Sequence, residues 1–95
     1  MSNWFSNNKV INNISIEDRG LHYGDGLFET IAIREGKLRL WEYHLSRLKK
    51  GCKALNLKMP SGDFLKKSII NTYRDSKLNH SPAIAKIIIT AGKSK

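Results

Sequence analysis

Disulfide pairs, long apolar runs and a secretory signal are all missing from this sequence. Cys52 is the one cysteine among 95 residues, which excludes an intramolecular disulfide and fits a reducing compartment. The first residues, MSNWFSNN, lack the apolar core of a secretory signal. No uninterrupted apolar run approaches the roughly 20 residues that span a bilayer. We therefore expect a cytoplasmic protein with no membrane partner.

Acidic residues are also scarce. Eight Asp and Glu stand against seventeen Lys and Arg, so the formal net charge is +9. Such a charge is compatible with a surface that binds nucleic acid, and a basic, non-catalytic binding module is one alternative for the function. However, the lysines are spread along the chain, and neither an RNP-type aromatic pattern nor a zinc-finger spacing is present. We interpret the charge as a solvated exterior and predict no nucleic-acid partner.

The remaining composition is that of an ordinary globular domain. Hydrophobic residues make up 40% of the chain and charged residues 26%, which argues against wholesale disorder. A length of 95 residues suits one domain. Neither internal repeats nor low-complexity tracts divide the sequence.

Two hairpins are predicted in the first 40 residues. Short apolar pairs flank an Asn-rich segment within Trp4–Ile14, which favours a small hairpin. The strand candidate Leu27–Ile33 is rich in Ile, Thr and Phe, and Leu38 and Leu40 return on a second strand. Gly36 lies in the connecting turn, where it can adopt a positive φ.

Two helices and a final strand are predicted after the hairpins. Glu42–Asn56 predicts a helix because apolar residues recur every three or four positions. That stripe consists of Trp41, Leu45, Leu48, Cys52 and Leu55. Ser61 suits the N-cap of a second helix that extends to about Lys77. Ala83–Ala91 has the composition of a buried strand, with Lys86 as its single charge. The order indicates an α+β fold, a small antiparallel β-sheet with two helices.

The sharpest functional signal lies between Asp18 and Leu57. It combines a glycine-punctuated loop, DRGLHYGDGLFET, with the helical motif HLSRLKKGCKAL. In this order and at this separation, the two motifs resemble the N-terminal part of fold-type IV pyridoxal-phosphate enzymes. That family includes branched-chain aminotransferases, D-amino-acid aminotransferases and aminodeoxychorismate lyase. The resemblance extends over nearly the whole chain.

Two details are most similar to the lyase branch of the family. The segment RLKKGCKAL matches an RLxxGCxxL pattern that is typical of this branch. Phe28 stands where many transaminases of the family carry a tyrosine. The resemblance therefore implies pyridoxal-phosphate-dependent elimination of pyruvate from 4-amino-4-deoxychorismate, which gives 4-aminobenzoate for folate synthesis. A branched-chain or D-amino-acid aminotransferase is the nearest alternative.

The resemblance also implies roles for individual residues. Arg47 corresponds to the arginine of the HxxRL motif that binds the cofactor's phosphate, and a guanidinium suits this role because it stays charged and offers paired donors. An arginine lying over the helix edge is the structural alternative. Phe28 and Thr30 share one strand face and are expected near the substrate. No metal site is expected. Lys86 is rejected as the Schiff-base lysine, which the family carries at a position beyond Lys95.

Other polar residues of the two motifs receive structural roles. His44 lies on the same helical flank as Arg47 and is expected to order the arginine or the loop packed against it. Asp25 is expected to hold the GDG turn. Cys52 lies on the apolar stripe, where packing outranks nucleophilic chemistry. Gly51, in mid-helix, is compatible with a close backbone approach.

The resemblance implies that this chain is one part of a larger enzyme. Residues 1–95 correspond to the N-terminal domain of the two-domain D-amino-acid aminotransferase-like fold, without the C-terminal catalytic domain. Such a chain is expected to be inactive alone and to bind negligible pyridoxal 5'-phosphate. The full-length enzyme is expected to hold this cofactor, act on a small-molecule substrate and form a homodimer. An inactive remnant is a further alternative.

Overall fold

A computed structural model describes residues 5–6, 9–10, 13–19, 24 and 26–92. In this part of the chain, the elements follow the order β1 (Phe5–Ser6), β2 (Lys9–Val10), β3 (Gly26–Arg34), β4 (Lys37–Leu38), α1 (Trp41–Ala54), α2 (Gly62–Arg74) and β5 (Ala83–Thr90). Strands β1 and β2 pair in an antiparallel manner, with Phe5 opposite Val10. The first predicted hairpin is therefore confirmed.

The main sheet contains three antiparallel strands in the order β4-β3-β5. Strand β5 pairs with β3 along its whole length, from Ala83 opposite Ile33 to Thr90 opposite Gly26. Alternate residues of a strand point to opposite faces. Accordingly, Ile31 is 0% exposed, whereas Phe28, on the opposite face, is 60% exposed. The predicted α+β fold, a small antiparallel sheet with two helices, is confirmed.

A tight turn joins β3 to β4 and sets their register. Arg34 pairs with Lys37, so only Glu35 and Gly36 form the turn. Both have positive φ, 53° and 74°, as a type I′ turn requires. The second strand is shorter than predicted. Leu40 has a left-handed φ of 56° and stands before α1, because the chain must turn out of the sheet to start the helix.

Helix α1 packs the predicted apolar stripe against the core, apart from its last member, and Trp41 and Leu45 are half-buried there. Leu48 and Cys52 are 1% and 2% exposed. The prediction for Leu55 is wrong, since this residue follows the helix and is 50% exposed. Gly51 allows the helix to approach the sheet, because a Cβ atom there would lie 2.8 Å from Cδ2 of Leu27. The close approach expected at this glycine is confirmed.

Helix α2 starts at the predicted cap and ends earlier than predicted. The Ser61 hydroxyl accepts a hydrogen bond from the backbone N–H of Phe64 at 3.1 Å. Arg74 is the last helical residue, three positions before Lys77, and Asp75 caps the end. Leu65 is the buried residue of this helix and joins the core.

The core lies between the helices and one face of the sheet. Its buried members are Ile31, Leu48, Cys52, Leu65, Ile87 and Ile89. The predicted burial of the last strand holds on one face only, since Ile87 and Ile89 are buried but Ile84 and Ile88 are 68% and 52% exposed. The reason is topological: α1 packs on the face opposite these side chains, and within the described residues no element covers the second face. In the described part of the chain, no helix is long and apolar enough to cross a membrane.

Candidate functional site

A buried carboxylate lies where β3 meets α1. Glu29 occupies the sheet face that otherwise carries Ile31 and Ile33, and it is 7% exposed. A charged group in such a position requires partners, because removal of a carboxylate from water costs several kcal/mol when it is unpaired. Two residues of α1, His44 and Arg47, supply these partners.

Glu29 contacts its two partners through different oxygens. Its Oε1 lies 2.7 Å from Nδ1 of His44, and its Oε2 lies 3.5 Å from Nε of Arg47. Because a carboxylate accepts hydrogen bonds, Nδ1 of His44 is the donor. The shorter contact is a hydrogen bond between partly buried groups, and the longer one is an ion pair at the edge of the site.

The positions of the partners follow from helix geometry. His44 and Arg47 are three residues apart, so their side chains share one flank of α1. Gly51, one turn further along, brings the helix axis close to β3. A larger residue at this position would separate the helix from the strand, so the glycine contributes to the short distance between His44 and Glu29.

Arg47 points from this contact toward the surface. Its side chain is 57% exposed, and its Cζ atom lies 5.7 Å from the centre of the Tyr43 ring. Within the described residues, its two terminal nitrogens, Nη1 and Nη2, have no hydrogen-bond partner. The guanidinium is therefore paired with Glu29 through Nε, and more than half of the side chain is exposed.

The predicted substrate neighbours lie on the opposite face of β3. Phe28 and Thr30 are exposed there, and the Nζ atom of Lys86 lies 4.5 Å from the centre of the Phe28 ring. Thr30 stands opposite Lys86 in the strand register. The sheet thus separates this group from the contact between Glu29 and Arg47, and the described residues do not join the two groups in one pocket.

Glu29 is the site residue that the sequence interpretation missed. The signal was present, because strand alternation places this carboxylate in line with Leu27, Ile31 and Ile33. A single acidic residue in an otherwise apolar row predicts a buried partner. The identity of that partner depends on the packing of α1 on β3, which local periodicity does not give.

The remaining candidates are structural or lie outside the described residues. Asp25 belongs to the latter group. Cys52 is buried in the core, and this burial raises the pKa of its thiol, as expected for a packing residue. Thr90 donates a hydrogen bond to Asp18 at 2.9 Å, which ties the loop of the first motif to the end of β5. Among the described residues, no group of three or more His, Cys, Asp or Glu could hold a metal ion.

Comparison with known proteins identifies the family. The family model described as amino-transferase class IV matches residues 26–95, which include β3, both helices and β5. The chain belongs to the class IV aminotransferase family. Members of this family bind pyridoxal 5'-phosphate.

Individual relatives of the class IV family include lyases and a transaminase. An aminodeoxychorismate lyase of Vibrio harveyi is 28% identical over 79 residues, which is 83% of this chain. The crystal structure of 4-amino-4-deoxychorismate lyase from Pseudomonas aeruginosa is 38% identical and has a TM-score of 0.77 over 93% of this chain. A fold IV transaminase from Curtobacterium pusillum is 31% identical and has a TM-score of 0.78 over 88% of this chain.

This chain corresponds to a minor part of these class IV relatives. It covers 28% of the Vibrio lyase, 31% of the Pseudomonas lyase and 30% of the Curtobacterium transaminase. The shared part contains the three-stranded sheet and the two helices described above.

Proposed function

We propose that this chain is the N-terminal domain of a pyridoxal-phosphate-dependent aminodeoxychorismate lyase, and that Arg47 contacts the phosphate group of the cofactor. The observation that carries the proposal is the geometry of Arg47. Its Nε lies 3.5 Å from Oε2 of Glu29, whereas its terminal nitrogens have no partner within the described residues and its side chain is 57% exposed. The names of the Vibrio and Pseudomonas relatives support the reaction class.

The exposed end of Arg47 fits a phosphate group. Two terminal nitrogens can donate parallel hydrogen bonds to two phosphate oxygens, and such charge-assisted pairs are about twice as strong as neutral hydrogen bonds. The nearby carboxylate of Glu29 is already engaged with His44 and with Nε. It therefore does not compete for the terminal nitrogens.

The chain's other contribution is to the substrate side. When bound, pyridoxal phosphate supplies an electron sink for bond cleavage at the substrate. In this proposal, Phe28 offers an apolar ring and Thr30 a hydroxyl to the substrate from the exposed face of β3. Neither residue can act as a nucleophilic amine. In this proposal, the lysine that reacts with the cofactor lies in a C-terminal domain of a larger polypeptide. Lys86, whose Nζ lies 4.5 Å from the centre of the Phe28 ring, is not assigned this role.

A transaminase is the second candidate function. The Curtobacterium transaminase is matched with a TM-score of 0.78, close to the value of 0.77 for the Pseudomonas lyase, so the backbone alone does not favour one activity. The higher identity to the Pseudomonas lyase, 38% against 31%, favours the lyase. The phenylalanine at position 28 and the RLKKGCKAL segment support the same choice.

The complete polypeptide that contains residues 1–95 tests the proposal. Its intact mass is measured first, and the purified protein is then supplied with 4-amino-4-deoxychorismate and pyridoxal phosphate. We expect release of pyruvate and 4-aminobenzoate, a homodimer in solution and an Arg47→Ala variant with weakened cofactor binding. Transfer of amino groups to 2-oxo acids without pyruvate release would establish the transaminase instead. An intact mass of 10.8 kDa together with no activity would contradict both enzyme functions.

A further inference from the structure

We infer that Glu29 is a positioning residue, which fixes the guanidinium of Arg47 so that its terminal nitrogens form the edge offered to an anion. This inference rests on the proposed function, since it assigns to a second residue the geometry that phosphate binding by Arg47 requires. Glu29 itself touches neither substrate nor cofactor in this scheme. It acts through Arg47.

A guanidinium can offer a ligand one of two edges. This group offers either a side edge, made by Nε and one terminal nitrogen, or an end edge, made by both terminal nitrogens. In this structure, Nε of Arg47 lies 3.5 Å from Oε2 of Glu29, an ion pair rather than a hydrogen bond, so Nε is the nitrogen that is paired with the carboxylate. The end edge is therefore the one that remains for a ligand.

The carboxylate of Glu29 is itself fixed in position. Glu29 lies in the central strand of the sheet, opposite Ile87, and its side chain is 8% exposed. The hydrogen bond of 2.7 Å from His44 fixes its other oxygen. Arg47 is thus held by a group that is itself fixed by backbone pairing, burial and a hydrogen bond. A binding residue keeps its geometry when the groups behind it are locked in this way.

A positioning role of Glu29 differs from a purely structural role in what it requires of Arg47. If Glu29 served only to join β3 to α1, its contact with His44 would be sufficient, and Arg47 would move freely. An exposed arginine has several rotatable bonds, and ordering them on binding has an entropic cost. A positioning role therefore requires that the Nε–H group of Arg47 be restrained before any ligand arrives.

The test uses the ¹⁵N-labelled chain without any cofactor. Nuclear magnetic resonance measures how fast the Nε–H proton of each arginine exchanges with water. Arg39 and Arg74 are exposed and serve as internal references. We expect the Nε–H proton of Arg47 to exchange about threefold more slowly than theirs, because the ion pair with Glu29 restrains this group and partly shields it from water. If the Nε–H proton of Arg47 exchanges as fast as those of the reference arginines in the unchanged chain, the inference is overturned and no variant is needed.

Three variants refine the test. Glu29→Gln retains the shape of the side chain but removes the charge, and it should raise the exchange rate of Arg47 to the reference rates. Glu42→Gln removes the same charge from an exposed position of α1 and should leave the rate unchanged. His44→Gln disturbs a residue that contacts Glu29 and should raise the rate by a smaller factor. A folded Glu29→Gln variant with an unchanged Arg47 rate contradicts the positioning role.

Failure of the inference is distinguishable from failure of the proposed function. The exchange rates report on Glu29 and Arg47 alone, since no cofactor is present. If Arg47 is restrained but Arg47→Ala leaves cofactor affinity of the complete polypeptide unchanged, the phosphate role fails and the restraint stands. If cofactor affinity falls in Arg47→Ala while Arg47 is unrestrained in the unchanged chain, the phosphate role stands and the positioning role of Glu29 fails.

Discussion

Glu29 of β3 and His44 of α1 form a hydrogen bond of 2.7 Å, although fifteen positions separate them in the sequence. Loss of the imidazole leaves one oxygen of a buried carboxylate without its hydrogen bond. We predict that His44→Ala lowers the free energy of unfolding by about 1–3 kcal/mol, the usual cost of an unsatisfied buried polar group. Urea denaturation measures this change. His80→Asn, at an exposed position with a φ of 70° that asparagine tolerates, is the control and should change stability little.

We predict that Arg47 contributes to the affinity for the cofactor in the proposed enzyme. In the complete polypeptide, Arg47→Ala should raise the dissociation constant for pyridoxal phosphate roughly ten- to a hundredfold, because hydrogen bonds to charged groups contribute about 1.5–3 kcal/mol. Absorbance titration measures the constant. Affinity for pyridoxal, which lacks the phosphate, should not change. Arg74→Ala removes an exposed arginine from α2 and serves as the matched control. Equal losses for both ligands would rule out a phosphate contact.

Leu48 and Leu55 belong to the same apolar stripe of the sequence, but they are buried to different extents in the structure. Leu48 is 1% exposed and Leu55 is 50% exposed. Leu48→Ala should lower the free energy of unfolding by about 2–5 kcal/mol, whereas Leu55→Ala should cost less than about 1 kcal/mol. Because total stability is small for a domain of this size, Leu48→Ala is expected to be largely unfolded at 37 °C. Thermal denaturation followed by circular dichroism compares the two variants.

Two substitutions in the β3–β4 turn should change the free energy of unfolding in opposite directions. Gly36→Ala places a side chain at a φ of 74° and should lower the free energy of unfolding by about 1–2 kcal/mol. Glu35→Asn should raise it by a few tenths of a kcal/mol, because asparagine tolerates the φ of 53° better than glutamate. Urea unfolding of both variants tests the assignment. A stabilising effect of Gly36→Ala would be incompatible with the type I′ geometry.

Cys52 gives the protein a predictable response to alkaline pH. Burial raises the pKa of its thiol above the unfolded value, which is about 8.5. The folded state therefore holds this proton more tightly. The resulting stabilisation is present below the unfolded pKa and is lost as pH rises through the folded pKa. We expect the alkaline loss of stability to be smaller in Cys52→Ala than in the unchanged chain. Iodoacetamide should also react slowly with the folded protein and rapidly after addition of urea.

Local rules predicted those features that neighbouring residues determine. The cap at Ser61, the turn at Gly36 and the buried positions Leu48 and Cys52 follow from backbone chemistry or helical periodicity, and the structure confirms them. The motifs likewise placed His44 and Arg47 on one flank of a helix. Besides the burial of Leu55, two expectations failed at the level of packing. Leu40 leaves the strand because α1 begins beside it, and Ile84 and Ile88 are exposed because the helices pack on one face of the sheet only.

The contact between Glu29 and its partners could not be predicted from local sequence rules, because it too depends on packing. Strand alternation places Glu29 on the buried face, but several residues of α1 or α2 could have stood opposite it. Only the angle and distance at which α1 crosses β3 select His44 and Arg47. That crossing depends on the core as a whole, including the glycine at position 51.

The pairing of β3 with β5 has a consequence for the order in which the protein assembles. Ile33 lies opposite Ala83, so the long strand pair closes a loop of 49 residues, 34–82, that contains both helices. Contacts between distant parts of a chain form slowly, because the entropy of loop closure is lost before the pairing stabilises it. During synthesis, the segments that form β3 and α1 leave the ribosome well before the segment that forms β5. Ile31 and Glu29 therefore remain only partly covered until the last strand emerges, and this interval is when the nascent chain is most exposed to aggregation.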